Sequence, residues 1–171
     1  MFEAKAIVTI DKAELYRDVA EQLGLLLSGE HDRIANAANT AALLFQYLPD
    51  LNWAGFYFMA ESGGLVLGPF QGKPACVRIP IGRGVCGTAV AERRSIVVED
   101  VHAFPGHIAC DVGSRSELVV PLFEGDRIIG VIDLDSPLPA RFDTVDCHGI
   151  EAIARIFVAS LNSAQLAVGS T

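Results

Sequence analysis

The sequence has no apolar run approaching the ~18 residues that a membrane-spanning helix requires. It is also short of basic residues: 13 Lys and Arg stand against 21 Asp and Glu, a formal net charge of −8. That shortage argues against nucleic-acid binding, which needs a basic face for phosphates. It argues equally against docking on anionic membranes. No Cys-x-x-Cys occurs, which removes a thioredoxin-like motif and the usual spacing of structural zinc ligands. Internal repeats, low-complexity tracts and interdomain linkers are absent. The opening stretch, MFEAKAIVTIDKAE, reaches Asp11 and Glu14 too soon for the apolar core of a secretory leader. We therefore expect a cytoplasmic protein.

What is present is 171 residues, 51% of them apolar. A chain of this length can bury well over half of its unfolded surface, so it needs no disulfide or metal to fold. One domain is expected, 1–171, with a core over about 10–163. The four cysteines are Cys76, Cys86, Cys110 and Cys147. In a reducing compartment they should not be structural disulfides. They are buried hydrophobes, metal ligands or redox groups.

Periodicity gives the layout. Residues 11–28 read as a helix with Leu15, Val19 and Leu23 on one stripe. A second helix over about 32–48 places Ile34, Ala37, Ala38, Ala41, Leu44, Phe45 and Leu48 on one side. Trp53–Met59 and Leu65–Phe70 flank Ser62-Gly63-Gly64 and form a hairpin. Cys76–Pro80 reads as a short strand, 84–92 as a short helix, and Ile96–Val98 as a strand. A loop over about 100–116 follows. Leu118–Phe123 and Arg127–Leu134 make a second hairpin around Glu124-Gly125-Asp126. A last helix, about 143–163, turns Ile150, Ile153, Ala154, Phe157 and Leu161 inward. Strands flanked by helices imply an α+β fold, an antiparallel sheet with helices on one face.

The long loop is the first place to seek a site, because structureless connections of this length are usually functional. It holds Cys110, within Gly106-His107-Ile108-Ala109-Cys110-Asp111. The common fate of a free cysteine is to be a small buried hydrophobe, but a Gly- and Pro-containing loop is a poor place to hide one. Loop amides or a nearby cation would lower the thiol pKa there and raise its reactivity. His102 and His107 are candidate acid–base groups, or polar surface. The ten- and twenty-four-residue gaps between Cys76, Cys86 and Cys110 do not match structural zinc. Cys147 sits among ordinary helix residues and is expected to be a bystander.

Two further groups stand out. Asp133 and Asp135, two apart on a strand, face the same way. The hairpin should bring Glu117 beside Asp133. Three carboxylates together repel unless a cation or a retained proton relieves them; the alternative is that they are solvated strand ends. Trp53 and Tyr57 share a strand face and can wall an apolar pocket with polar tips, whereas Phe56 reads as core.

These residues fall within blocks that resemble the free methionine-(R)-sulfoxide reductase family. The blocks are Asn52–Tyr57, Gly68–Cys76, Gly82–Ala89, Phe104–Asp111, Ser114–Leu118 and Gly130–Ser136, in the family's order. The resemblance implies a GAF fold, with a central antiparallel sheet of about six strands, helices on one face and a ligand pocket on the other. It implies reduction of free methionine sulfoxide, R epimer, without metal or organic cofactor. It further implies a homodimer and recycling by thioredoxin. Carried over residue by residue, Cys110 is the nucleophile, Cys76 the resolving partner and Cys86 an auxiliary thiol. Glu117, Asp133 and Asp135 match the family's substrate-binding carboxylates, and Trp53 and Tyr57 its pocket for the sulfoxide end. The competing expectation is a GAF sensory module that binds a small ligand such as a cyclic nucleotide, since one fold hosts many functions.

Overall fold

A computed structural model of the chain describes residues 9, 11–106 and 113–162. Helix α1 (Lys12–Leu26) starts at Asp11, whose carboxylate accepts the Glu14 N–H. Helix α2 (Arg33–Tyr47) starts in the same way at Asp32. Then come β1 (Trp53–Met59), β2 (Leu65–Gly72), β3 (Arg78–Ile79), α3 (Gly84–Glu92) and β4 (Ile96–Val98). A 3-10 turn at Val101–Ala103 leads towards β5 (Ser116–Glu124), β6 (Arg127–Ser136) and α4 (Thr144–Ser160). The strands form one antiparallel sheet in the order β3-β2-β1-β6-β5-β4.

Each face of the sheet has its own core. Phe56, Phe58, Val120, Ile132 and Leu134 pack beneath α1, α2 and α4. On the opposite face Trp53, Tyr57, Val119 and Val131 pack with Val85, Cys86 and Ala89 of α3. Three helices thus cover one face, and α3 with its flanking loops closes the other. Gly87 permits that closure: a Cβ there would lie 2.2 Å from the Pro80 carbonyl oxygen. Gly55 permits another close approach, since its Cβ would meet the Trp53 ring at 2.7 Å and Phe70 Cβ at 2.4 Å.

The structure departs from the sequence expectations in three places. Strand β3 is only Arg78–Ile79, so Cys76 lies in the loop before it. On α2, Ile34, Ala38 and Phe45 are exposed, and the buried arc includes Asn36, Thr40 and Leu43 instead. Local hydrogen bonds make that rotation possible: Asn36 Nδ2 donates to Ser160 Oγ at 2.9 Å, and the Thr40 hydroxyl donates to the Asn36 carbonyl at 2.7 Å. Third, the register differs: Glu117 pairs with Asp135 and Asp133 with Val119, although the Glu117 and Asp133 side chains still come together, diagonally, as expected. The cause is the hairpin itself. Pairing begins at Glu124–Arg127 around a tight turn, and a bulge between Leu122 and Phe123 shifts the ladder.

Asp146, in the first turn of α4, has no exposed surface. It accepts hydrogen bonds from Lys12 Nζ (2.6 Å), Arg141 (2.8 Å), the Tyr16 hydroxyl (2.9 Å) and the Asp143 N–H (2.9 Å). The network ties α4 to α1 on the helix-covered side. Cys147, next in the chain, packs on that side with its Sγ 3.7 Å from Glu151 Oε1. No described helix is long and apolar enough to cross a membrane.

Candidate active site

On the α3 side of the sheet a cavity of about 40 Å³ lies between β1, the ends of β5 and β6, the N-terminus of α3 and the loop before β3. Alternation along the strands sets its lining. Trp53 and Tyr57 point to this face from β1, while Phe56 between them points into the helix-side core. The two rings stack at 5.9 Å between centroids, and Phe70 stacks on the other side of Trp53 at 5.3 Å.

The polar tips of Trp53 and Tyr57 hold the loop that precedes β3. Trp53 Nε1–H donates to the Lys73 carbonyl at 3.1 Å. The Tyr57 hydroxyl donates to the Cys76 carbonyl at 3.0 Å. Lys73, Pro74 and Ala75 thereby form one wall. Cys76 is held in a disulfide, whereas Cys86 and Cys147 are free thiols.

The facing wall is acidic. Glu117 and Asp133 are both more than nine-tenths buried, and Asp135 lies beside them, half-buried. Cross-strand pairing puts Glu117 opposite Asp135, with Asp133 diagonal to it on the same face. The sequence thus foresees the cluster, although its internal pairing differs. The Cys86 thiol, 3% exposed in the first turn of α3, donates to Asp133 Oδ2 at 3.3 Å. The other oxygen, Oδ1, is buried without a hydrogen-bond partner.

Burial and mutual repulsion govern the electrostatics. Burial first, then the charges of Asp133 and Asp135, push Glu117 well above the usual carboxylate range. Burial also pushes Asp133 up to about 7, against the lowering effect of its hydrogen bonds with Cys86 and Glu117. The buried pair therefore retains a proton near neutrality. Burial, then Asp133 and Glu117, raise the Cys86 thiol. Cys86 is accordingly a protonated donor, not a resting thiolate. Burial followed by the same carboxylates keeps Tyr57 protonated.

Comparison with known proteins places this arrangement. The GAF domain model matches residues 13–161. A free methionine-R-sulfoxide reductase from Escherichia coli (strain K12) is 53% identical, over 84% of this chain and 87% of that protein. One from Saccharomyces cerevisiae is 41% identical over 81% and 83%. This chain belongs to the free methionine-R-sulfoxide reductase family. The crystal structure of the family's Neisseria meningitidis reductase in complex with its substrate superposes with a TM-score of 0.90. It is 47% identical, over 94% of this chain and 96% of that one.

Of the residues picked out from the sequence, this member of the reductase family brings together Trp53, Tyr57, Cys86, Glu117, Asp133 and Asp135 in one pocket. Cys76 adjoins the pocket wall. His102 is exposed, with its backbone N–H bonded to Asp100. Cys110 and His107 lie outside the described residues. Sequence reasoning missed two features. The contact of Cys86 with Asp133 is invisible to spacing, because α3 and β6 meet only in the fold. Ser114, a cavity-lining residue that accepts from Asn52 Nδ2 at 3.1 Å, falls in a block that carries the resemblance, but a single serine did not mark it as a site residue.

Proposed function

We propose that this protein reduces free methionine-(R)-sulfoxide to methionine with a cysteine nucleophile, and that thioredoxin restores its thiols. One observation carries the reading: a buried carboxylate cluster faces an aromatic wall in the same cavity, next to the loop of a disulfide-bonded cysteine. Similarity over most of the chain to free methionine-R-sulfoxide reductases, one of them in complex with its substrate, supports it. Glu117, Asp133 and Asp135 bind the substrate α-ammonium, a charge that a methionine within a peptide lacks. The stacked Trp53 and Tyr57 hold the methyl sulfoxide end.

The Cys110 thiolate attacks the sulfoxide sulfur, and the proton held by Glu117 and Asp133 passes to the sulfoxide oxygen. Methionine leaves and Cys110 becomes a sulfenic acid. The Cys76 thiol then displaces water to form a disulfide. A dithiol of the thioredoxin type reduces the bond by exchange. The step needs neither metal nor organic cofactor. Cys86 serves as an auxiliary thiol hydrogen-bonded to the acid. We further propose a homodimer, which sedimentation equilibrium would test.

The test is a coupled assay. With thioredoxin, its reductase and NADPH, free methionine sulfoxide should drive NADPH oxidation, consuming the R epimer and sparing the S epimer. Equal use of both epimers, or preference for sulfoxide within a peptide, would overturn the reading. Mass spectrometry after substrate and before reductant should find Cys76 joined to Cys110. Joining of Cys86 to Cys110 would exchange the two resolving roles. The sensory-module alternative fits poorly, because clustered carboxylates repel a nucleotide phosphate.

A further inference from the structure

The Cys86 thiol and the carboxylates of Glu117 and Asp133 form a group with a second chemical capability. One donor atom from each lies within 4.8 Å of the others, and all three residues are buried. Sulfur and oxygen donors about a zinc-sized ion sit 2.0–2.3 Å from the metal, which leaves them roughly 3–4 Å from one another. The 3.3 Å separation of Cys86 Sγ and Asp133 Oδ2 already falls in that range. An independent observation points to a missing ligand. Asp133 is 93% buried by its 7% exposure, lines the cavity, and keeps Oδ1 without a partner. Such an orphan is destabilising unless something occupies the site.

We propose that Cys86, Glu117 and Asp133 form a binding site for a thiophilic divalent cation such as Zn²⁺ or Cd²⁺, which excludes substrate from the pocket. Two carboxylates and one thiolate supply three negative charges in a dry site, and borderline-soft ions accept this mixed donor set. Binding exchanges the retained protons for the metal: Cys86 loses its thiol proton and the carboxylate pair loses the one it shares. Hard Mg²⁺, which demands octahedral oxygen ligation, is a poor fit to a sulfur-containing set. The metal and an α-ammonium compete for the same carboxylates. That competition rests on the function proposed above; the metal binding itself does not.

The test separates the two. The full chain is prepared with the Cys76 disulfide intact, so that Cys76 cannot ligate, and is titrated with Cd²⁺ while sulfur-to-metal charge-transfer absorption is recorded. Zn²⁺ affinity is measured in parallel by competition with a chromogenic chelator. We expect one equivalent bound, with proton release into weak buffer. Cys147→Ser should leave the titration unchanged. Cys86→Ser should abolish the charge-transfer band, and Glu117→Gln should weaken binding at least tenfold, as even outer-shell losses at metal sites weaken binding ten- to a hundredfold. Far-ultraviolet circular dichroism confirms that each variant is folded. Absence of the band in the wild type, or its persistence in Cys86→Ser, would overturn the site. Free methionine should shift the Zn²⁺ titration to higher metal concentration. Intact metal binding without that shift would refute the competition and leave the site standing, whereas a failed titration in an active enzyme would refute the site alone.

Discussion

Replacing Asp133 by Asn should make the protein more stable and less active, by amounts that depend on pH. Asp133 is buried beside Glu117, and its carboxyl is raised from 3.8 to about 7 on folding. A carboxyl raised in the folded state keeps its proton where the unfolded chain has released it. The native state then binds more protons than the unfolded state, so this group makes stability fall as pH rises from 3.8 to about 7, with no further loss above. Each unit is worth about 1.4 kcal/mol, so full ionisation of Asp133 costs roughly 4 kcal/mol. About a third of that is already felt near pH 5. An amide has no such dependence. It can also donate to the Glu117 carboxylate, and removing the Asp133 charge relieves Glu117 in the same direction.

Urea denaturation of wild type and Asp133→Asn at about pH 5 and pH 8 measures this directly. The stability advantage of the variant should widen by roughly 2–3 kcal/mol between the two. Loss of an ammonium contact and of the shared proton should meanwhile lower kcat/KM for free methionine sulfoxide at least roughly ten- to a hundredfold, through both KM and kcat. Opposite signs for stability and activity mark a residue retained for function. A gap that does not change with pH would refute the claim that Asp133 holds a proton in the native state. Wild-type kinetics would refute its contact with substrate.

Asp146→Ala should destabilise the protein by about 3–5 kcal/mol in denaturant titration, because it strands the Arg141 and Tyr16 donors. Gly87→Ala should cost about 1–3 kcal/mol by overpacking against the Pro80 carbonyl. It should also raise KM by shifting the turn that carries Cys86. Cys110→Ser should abolish turnover with any reductant, since an alcohol cannot replace the thiolate in attack at sulfur. Cys76→Ser should release about one methionine per chain in a single turnover, read by chromatography, and then stall with thioredoxin.

The regular elements were legible because their physics is local. The α1 stripe, the two hairpins, the limits of α3 and β4, and the inward face of α4 follow from periodicity and turn residues. The strand alternation that sends Trp53 and Tyr57 one way and Phe56 the other is equally local. The misses depended on partners. The rotation of α2 requires Ser160 to satisfy Asn36, and helical periodicity ranks Asn below Ile as a buried residue. The pairing of Glu117 with Asp135 turns on a bulge that leaves no mark in Leu122-Phe123 or Ile128-Ile129. The contact between Cys86 and Asp133 needs α3 folded over the sheet, which rests on Gly87 and its approach to Pro80.

The two faces of the sheet treat a buried aspartate in opposite ways, and the contrast separates structure from function. Asp146, on the helix side, receives a lysine, an arginine, a tyrosine hydroxyl and a backbone amide. Its charge is compensated within the fold, so removing it can only weaken the fold. Asp133, on the cavity side, has a thiol and a second acid for neighbours and keeps an oxygen without a partner. Burying a carboxylate so is unfavourable, and three methyl-bearing residues in place of Cys86, Glu117 and Asp133 would fill the same space with less penalty. The fold holds this side in a state that only a cation or a proton relieves. An incoming ammonium meets a site already desolvated and short of positive charge. It therefore gains more there than from the same carboxylates in water.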